Sequence, residues 1–351
     1  MVKVNTNFDK NDKKFFLSSN SGFTLIELMI SLVLGLIISA AVMQIYLINA
    51  KTSATQKANS DIIDASVFGI PLLENHLRLA NLGTADKVTS NEYGAGIIMA
   101  SKNIENVKII KGTLNTDISD KLFTKSGDIT DKGTDNEWTG VSNVDKASGQ
   151  LTIQFRAPQK MYDCEGNVAL GPRQVTINGV QKTIDGQIVV ERYYLRASDN
   201  TKPTELSLYC DAGKYITETI DDYTEQGESA IASTILTNRN ILKNFGDAGG
   251  VIVPNIDYFD VLLKTKLSDT EYSYYTVKDY LGLSTTTQLP IVGIKIAGIT
   301  RSSKGSVGDI SNQVDFYNVL GQKVSLKDSS NSNKSFSRAV FEHEIALRNA
   351  R

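Results

Sequence analysis

Residues 22–50 read GFTLIELMISLVLGLIISAAVMQIYLINA, and this stretch decides the architecture. From Leu28 to Ala50 there are 23 residues without a charge or a proline. At about 1.5 Å per helical residue they span roughly 34 Å, enough to cross a bilayer core. Leucine, isoleucine, methionine and alanine dominate, which favours a helix. Upstream, residues 1–22 are polar and carry Lys3, Lys10, Lys13 and Lys14 against Asp9 and Asp12. Lysines on that side predict a cytoplasmic N-terminus, with the chain from about residue 51 translocated. The leader carries +2 and the whole chain −2, so the remainder carries −4.

Glu27 lies inside the apolar segment, five positions after Gly22. A carboxylate in hydrocarbon is costly and calls for a partner. An acid at the membrane edge reaching headgroup water is the plainer reading of this residue alone. An ordinary signal peptide competes for the same end. It would place its cleavage site after the apolar run, where Ser39-Ala40-Ala41 is a weak match.

Gly22-Phe23-Thr24-Leu25-Ile26-Glu27, after a basic leader and before an apolar helix, resembles a type III prepilin signal. The resemblance implies that a prepilin peptidase cuts between Gly22 and Phe23 and methylates the amine of Phe23. A glycine gives the backbone access to a protease cleft. It also implies that Glu27 pairs with the N-terminal amine of a neighbouring subunit during assembly. Two opposite charges buried together cost less than either alone.

Whole-chain averages hide this anchor. The 351 residues are 41% apolar and 22% charged, as in a globular protein, and the mean hydropathy is −0.17. The near-neutral charge gives no reason to expect nucleic-acid binding. Two cysteines are too few for a disulfide-dense mini-scaffold or a four-cysteine zinc site.

Helical spacing continues through residues 51–83, with Ile62, Ile63, Ala65, Val67, Phe68, Ile70, Leu72, Leu73, Leu77 and Ala80. This predicts a helix that lays one face on a domain. Pro71 should kink it or end a segment, and Asn81-Leu82-Gly83 should stop it. His76 reads as a packed or half-exposed histidine rather than a catalytic one. The stretch 115–137, with Asp117, Asp120, Asp128, Asp131 and Asp135, reads as a solvated loop rather than a calcium site. Residues 96–99 and 107–110 are short strand candidates.

From Gln150 onward the signals are mostly strands. Leu151, Ile153 and Phe155 alternate on one face. Residues 174–177 and 180–184 flank Asn178-Gly179, a hairpin signal. Further candidates are 187–195, 205–210, 256–266, 271–280, 290–300, 314–320 and 338–348, with a helical turn at 238–243. The expected fold class is α+β: a long N-terminal helix, then a large antiparallel-sheet head packed on its C-terminal half. The expected divisions are 1–22 leader, 23–50 membrane helix, 51–83 helix continuation and 84–351 periplasmic head.

Cys164 and Cys210 both lie in the translocated part, where a disulfide is permitted. A bridge across the 45 intervening residues is worth about 3–4 kcal/mol. Free or metal-binding thiols are the alternative.

The head also resembles the PilW family of type IV minor pilins. The matching residues are Gln150–Pro158, Met161–Gly166 with Cys164, Glu191–Arg196, Leu208-Tyr209-Cys210, Ile294-Lys295-Ile296 leading to Thr300-Arg301-Ser302, and Ile345–Asn349. The stretches 115–137 and 212–250 match nothing in that family. The resemblance implies a minor pilin that primes type IV pilus assembly in a tip complex and supports twitching, adhesion or DNA uptake. Its implied partners are the prepilin peptidase, other minor pilins and the major pilin, a large tip adhesin and the inner-membrane assembly platform. No cofactor and no metal is implied. A J-like pseudopilin of type II secretion shares the leader and general fold, and a membrane-tethered periplasmic enzyme or binding module is a further reading.

Enzyme signatures are absent from the sequence: no G-x-S-x-G elbow, no P-loop, no G-x-G-x-x-G after a strand. His343-Glu344 begins like H-E-x-x-H, but Leu347 stands where the second histidine belongs. His343 is expected to face the core of the last strand.

Overall fold

A computed structural model describes residues 22–83, 93–104, 106–111, 114–134, 136–177, 180–199, 201–217, 240–284, 287–303, 314, 316–327 and 336–347. The chain divides into two compact units, Met1–Thr52 and Ser53–Arg351. The boundary falls inside helix α1, Leu25–Asp64.

In the first unit the sequence sets the helix start. The Thr24 hydroxyl oxygen accepts the Glu27 backbone N–H at 3.3 Å. That satisfies one of the orphan donors of the first turn, in the Thr-x-x-Glu pattern of a capping box.

In the second unit α1 gives way to a five-residue π-turn, Ala65–Gly69, and then to α2, Ile70–Leu77. The cause is Pro71, which lacks an N–H and crowds the carbonyl four residues back; a widened turn relieves both. Past Leu77 the chain turns, with Asn81 and Gly83 at positive φ.

The strands begin with β1 (Lys108–Lys111), β2 (Leu114–Asp117), β3 (Gln150–Arg156), β4 (Met161–Tyr162) and β5 (Val168–Ala169). Next come β6 (Arg173–Ile177), β7 (Val180–Ile184), β8 (Ile188–Ala197), β9 (Leu206–Tyr215), β10 (Ile241–Leu242) and β11 (Gly250–Val253). Then follow β12 (Ile256–Lys266), β13 (Tyr272–Tyr275), helix α3 (Val277–Gly282), β14 (Ile291–Arg301), β15 (Phe316–Val319), β16 (Gln322–Ser325) and β17 (Arg338–Ala346).

Two four-stranded antiparallel sheets dominate, in the orders β11-β9-β8-β3 and β13-β12-β14-β17. Their inner faces share one core with α2. Ile70, Leu73 and Leu77 meet Leu151, Ile153, Phe155 and Leu208 of the first sheet and Phe259, Val261, Ile294 and Ile345 of the second. A long apolar helix followed by a sheet-rich head is the α+β architecture the sequence predicts. Gly69 has no room for a side chain: a Cβ there would sit 2.6 Å from the Ile252 carbonyl oxygen of β11.

Several expectations need correction. Residues 115–137 are not a solvated loop. β2 opens the stretch, and Leu122, Phe123, Thr124 and Ser126 are buried. The polar face of β3 holds this region down. Gln150 Nε2 donates to the Phe123 carbonyl at 2.6 Å and Thr152 Oγ1 to the Leu122 carbonyl at 2.6 Å. The residues at 271–280 are not one strand. β13 ends at Tyr275, and Thr276 caps α3 by accepting the Asp279 N–H at 3.1 Å. Within 238–243, Ile241–Leu242 form β10, parallel to β1, rather than a helical turn; 238 and 239 lie outside the described residues. Asn178-Gly179 also lies outside them, but its flanking strands pair, Ile177 with Val180.

Candidate functional site

The N-terminal segment presents its chemistry openly. Gly22, Phe23 and Glu27 are all exposed, and a Cβ added to Gly22 would meet nothing within 4 Å. Every large apolar side chain from Phe23 to Ile48 is exposed as well, Phe23 at 78%. Soluble domains rarely expose contiguous apolar patches above a few hundred Å², so this surface needs lipid or protein around it. Among the described residues, one helical run, Leu25–Leu77, is long and apolar enough to cross a membrane.

Residues 17–43 match the prokaryotic N-terminal methylation motif. The match covers the glycine, Glu27 and the first part of the apolar run in one frame. No curated protein matches the chain. A type IV-like pilin from Thermus thermophilus is similar in structure at a TM-score of 0.26 and 10% identity, over 58% of this chain and 80% of that one.

The helix from Ser53 onward has two apolar sides. Ala58, Ala65, Ile70, Leu73 and Leu77 are buried in the head. Ile63, Val67, Phe68 and Leu72, which the sequence assigns to the same buried stripe, stay exposed, Phe68 at 72%. Helical spacing shows that a segment is apolar, not how many faces the fold covers. Asp61 ties this helix to the head, because its carboxylate accepts the Ser303 backbone N–H at 2.9 Å.

Cys164 and Cys210 form a disulfide, with Cα atoms 6.2 Å apart. It pins the β4–β5 turn to the buried strand β9. Beside it, Glu191 is fully buried and well satisfied. Its carboxylate accepts the Cys164 N–H at 2.9 Å, the Tyr193 hydroxyl at 2.7 Å and His76 Nδ1 at 2.9 Å. His76 is thus a packed histidine of α2, as the sequence suggests. Burial works against its protonation, but the hydrogen bond and charge of Glu191 outweigh that and raise its pKa. His343 departs from expectation. It is half-exposed and pairs with Glu74 of α2 at 2.6 Å instead of facing the core.

On the other face of the first sheet, Arg192 and Asp211 form a fully buried ion pair at 2.7 Å. Arg192 also donates to the Asn136 carbonyl at 2.7 Å and lies 3.9 Å from the Tyr194 ring centroid. Glu165 and Asp247 approach Asp211, with carboxylate oxygens within 4.8 Å of one another. Burial first, then these neighbouring acids, push the Glu165 carboxyl up to about 7. Burial also lifts Asp211 to about 6, against the pull of Arg192, and Asp260 to about 6. None of these acids is visible as a group in the sequence, because a strand, a turn and a loop bring them together.

A pH dependence follows. These carboxyls and His76 all bind protons more tightly folded than unfolded. Their stabilising contribution is complete at acid pH and is lost as pH rises through the folded values. The acids with lowered pKa, such as Asp61, Glu342 and Glu344, titrate below this window. The thermal midpoint is therefore expected to fall by several degrees between about pH 5 and pH 8. Calorimetry across that range checks it; a flat or rising midpoint contradicts it.

Proposed function

We propose that this chain is a prepilin whose mature form, starting at Phe23, is a PilW-like minor pilin acting in type IV pilus assembly. One observation carries the reading: Gly22-Phe23 and Glu27 stand in the frame of the methylation motif, directly before an exposed apolar helix. The basic leader favours a cytoplasmic N-terminus and a periplasmic head. The disulfide suits that oxidising side.

The mechanism is packing, with no catalysis by the head. The Phe23–Ala50 segment leaves lipid for helix–helix contacts inside the fibre, and Glu27 meets the amine of a neighbouring subunit. Ile63, Val67, Phe68 and Leu72 form a separate exposed apolar strip on the head and pack on other minor pilins. The test is Glu27→Ala in membranes that contain the prepilin peptidase and partner pilins. The variant is expected to be cut and N-methylated at Phe23 as normal. It should recover other pilin subunits at least about tenfold less well on co-purification, since an unmatched charge in hydrocarbon costs about 2.5 kcal/mol or more. Mass spectrometry reads both results. A mature N-terminus elsewhere, or undiminished recovery of partners, overturns the reading.

A further inference from the structure

Helix α2 is tied to both large sheets by side chains that reach in opposite directions. Glu74 pairs with His343 of β17 at 2.6 Å. His76 Nδ1 lies 2.9 and 3.1 Å from the two carboxylate oxygens of Glu191 in β8. His76 and His343 are the two histidines of the chain, so both sit on the seam between α2 and the sheets. Imidazole is the side chain whose ordinary pKa lies near neutrality, and mild changes of pH therefore alter the charge of this seam.

The two contacts differ in weight. His343 is half-exposed, and an ion pair of that kind contributes little. At the other contact the His76 side chain is 12% exposed and that of Glu191 0%. Glu191 also accepts the Tyr193 hydroxyl and the Cys164 N–H, so one buried carboxylate joins α2, β8 and the disulfide-bonded turn. The neighbouring charges are engaged with one another. Asp163 of that turn pairs with Lys214 of β9 at 2.8 Å, and Glu165 lies against Asp211 and Asp247. On α2 itself, Arg78 pairs with Glu74 at 3.6 Å. His76 is the cationic side chain in contact with Glu191.

α2 is also poorly continued on its N-terminal side. It has eight residues, Ile70–Leu77. Pro71 interrupts the hydrogen-bond ladder to α1, and the widened turn Ala65–Gly69 stands between them. A short element cut off from its neighbour's ladder opens locally at lower cost than the central strands of a sheet.

We propose that α2 is a pH-sensitive latch: charged His76 clamps the helix to Glu191, and loss of its proton lets the helix open locally. Once the proton leaves, a carboxylate in the core faces a neutral ring, and a charge-assisted hydrogen bond becomes an ordinary one. The site sets the direction. Burial works against the charged imidazole, but the hydrogen bond and charge of Glu191, then the charge of Asp163, outweigh it and raise the pKa. The clamp is therefore complete at acid pH, below the range of a free imidazole, and is lost as pH rises through the folded value. Opening uncovers Leu73 and Leu77, both fully buried in the closed head. The latch belongs to the head alone and does not rest on the assembly role proposed above.

Hydrogen exchange of the full chain in detergent micelles, at about pH 5.5 and about pH 8 and corrected for intrinsic rates, tests this. Protection of the α2 amides is expected to fall at least about fivefold, the difference between a charge-assisted and a neutral hydrogen bond. At the higher pH they should exchange faster than the amides of β12, which marks local opening rather than loss of the whole fold. His76→Gln keeps a donor without the charge and should change less than about twofold over the same range. His343→Gln should retain the parent's fall. The imidazole NMR signal that persists in His343→Gln is that of His76, and its titration should coincide with the loss of protection in the parent. Four results overturn the latch. They are α2 protection that is flat or rises with pH, an equal fall in folded His76→Gln, and α2 exchange no faster than that of β12 at the higher pH. The fourth, read on the parent alone, is a His76 midpoint more than about one pH unit from the midpoint of protection loss.

Discussion

Gly22→Val is expected to leave the chain uncut in the membrane, with residues 1–22 still attached. Gly22 stands in open space, so the substitution costs the fold nothing. Its effect falls on the protease that must grip the backbone there. Glycine has no Cβ and lets an enzyme approach the peptide closely. Valine puts two methyl groups at that point and is stiff about χ1, so it can neither fit nor turn away. A loss of about hundredfold in cleavage, roughly 2.7 kcal/mol of transition-state binding, would leave almost no mature chain. Intact-mass measurement of membranes that contain the prepilin peptidase reads the result directly. Cleavage at the parent's rate, with Phe23 exposed as the new N-terminus, would remove Gly22 from the site.

The second large effect belongs to the disulfide. Cys164→Ala/Cys210→Ala is expected to destabilise the head by about 4 kcal/mol, the loop-closure entropy for cysteines 46 positions apart. For a unit of this size that corresponds to roughly 6 °C in Tm. The bridge holds the turn whose Cys164 N–H donates to buried Glu191. Once the turn is free, Glu191 keeps only Tyr193 and His76 as fixed partners, and a buried carboxylate short of donors is costly. Reduction of the parent protein should reproduce most of the loss. Denaturation of the full chain in micelles, with and without reductant, measures it. A change below about 1 kcal/mol would mean that the bridge only decorates an already stable turn.

How much of this was legible beforehand varies by element. Strands 256–266 and 338–346 were readable because long β-branched and alternating runs leave few other conformations. The break between α1 and α2 was readable because Pro71, at the start of α2, disturbs the turn just before it. The segment 115–137 was misread because acids, glycines and lysines look alike in water and under β3. Only the side chains of Gln150 and Thr152, reaching across from another strand, show that its backbone is held. The 271–280 stretch was misread because tyrosines favour strands, whereas the Thr276 cap switches the chain to helix after four residues.

Sequence alone determined the N-terminal site. Gly22 and Phe23 stand just before a capped, apolar helix that holds Glu27, the partners proposed for them lie outside the chain, and their spacing is set by local chemistry alone. Tertiary structure alone decided which apolar face of residues 53–77 the head covers. It also placed Glu165 and Asp247 beside the Arg192–Asp211 pair, and left Tyr272 and Tyr274 exposed. Those outcomes depend on strands distant in the chain meeting in one register, and hydrophobic periodicity carries no information about which strands meet.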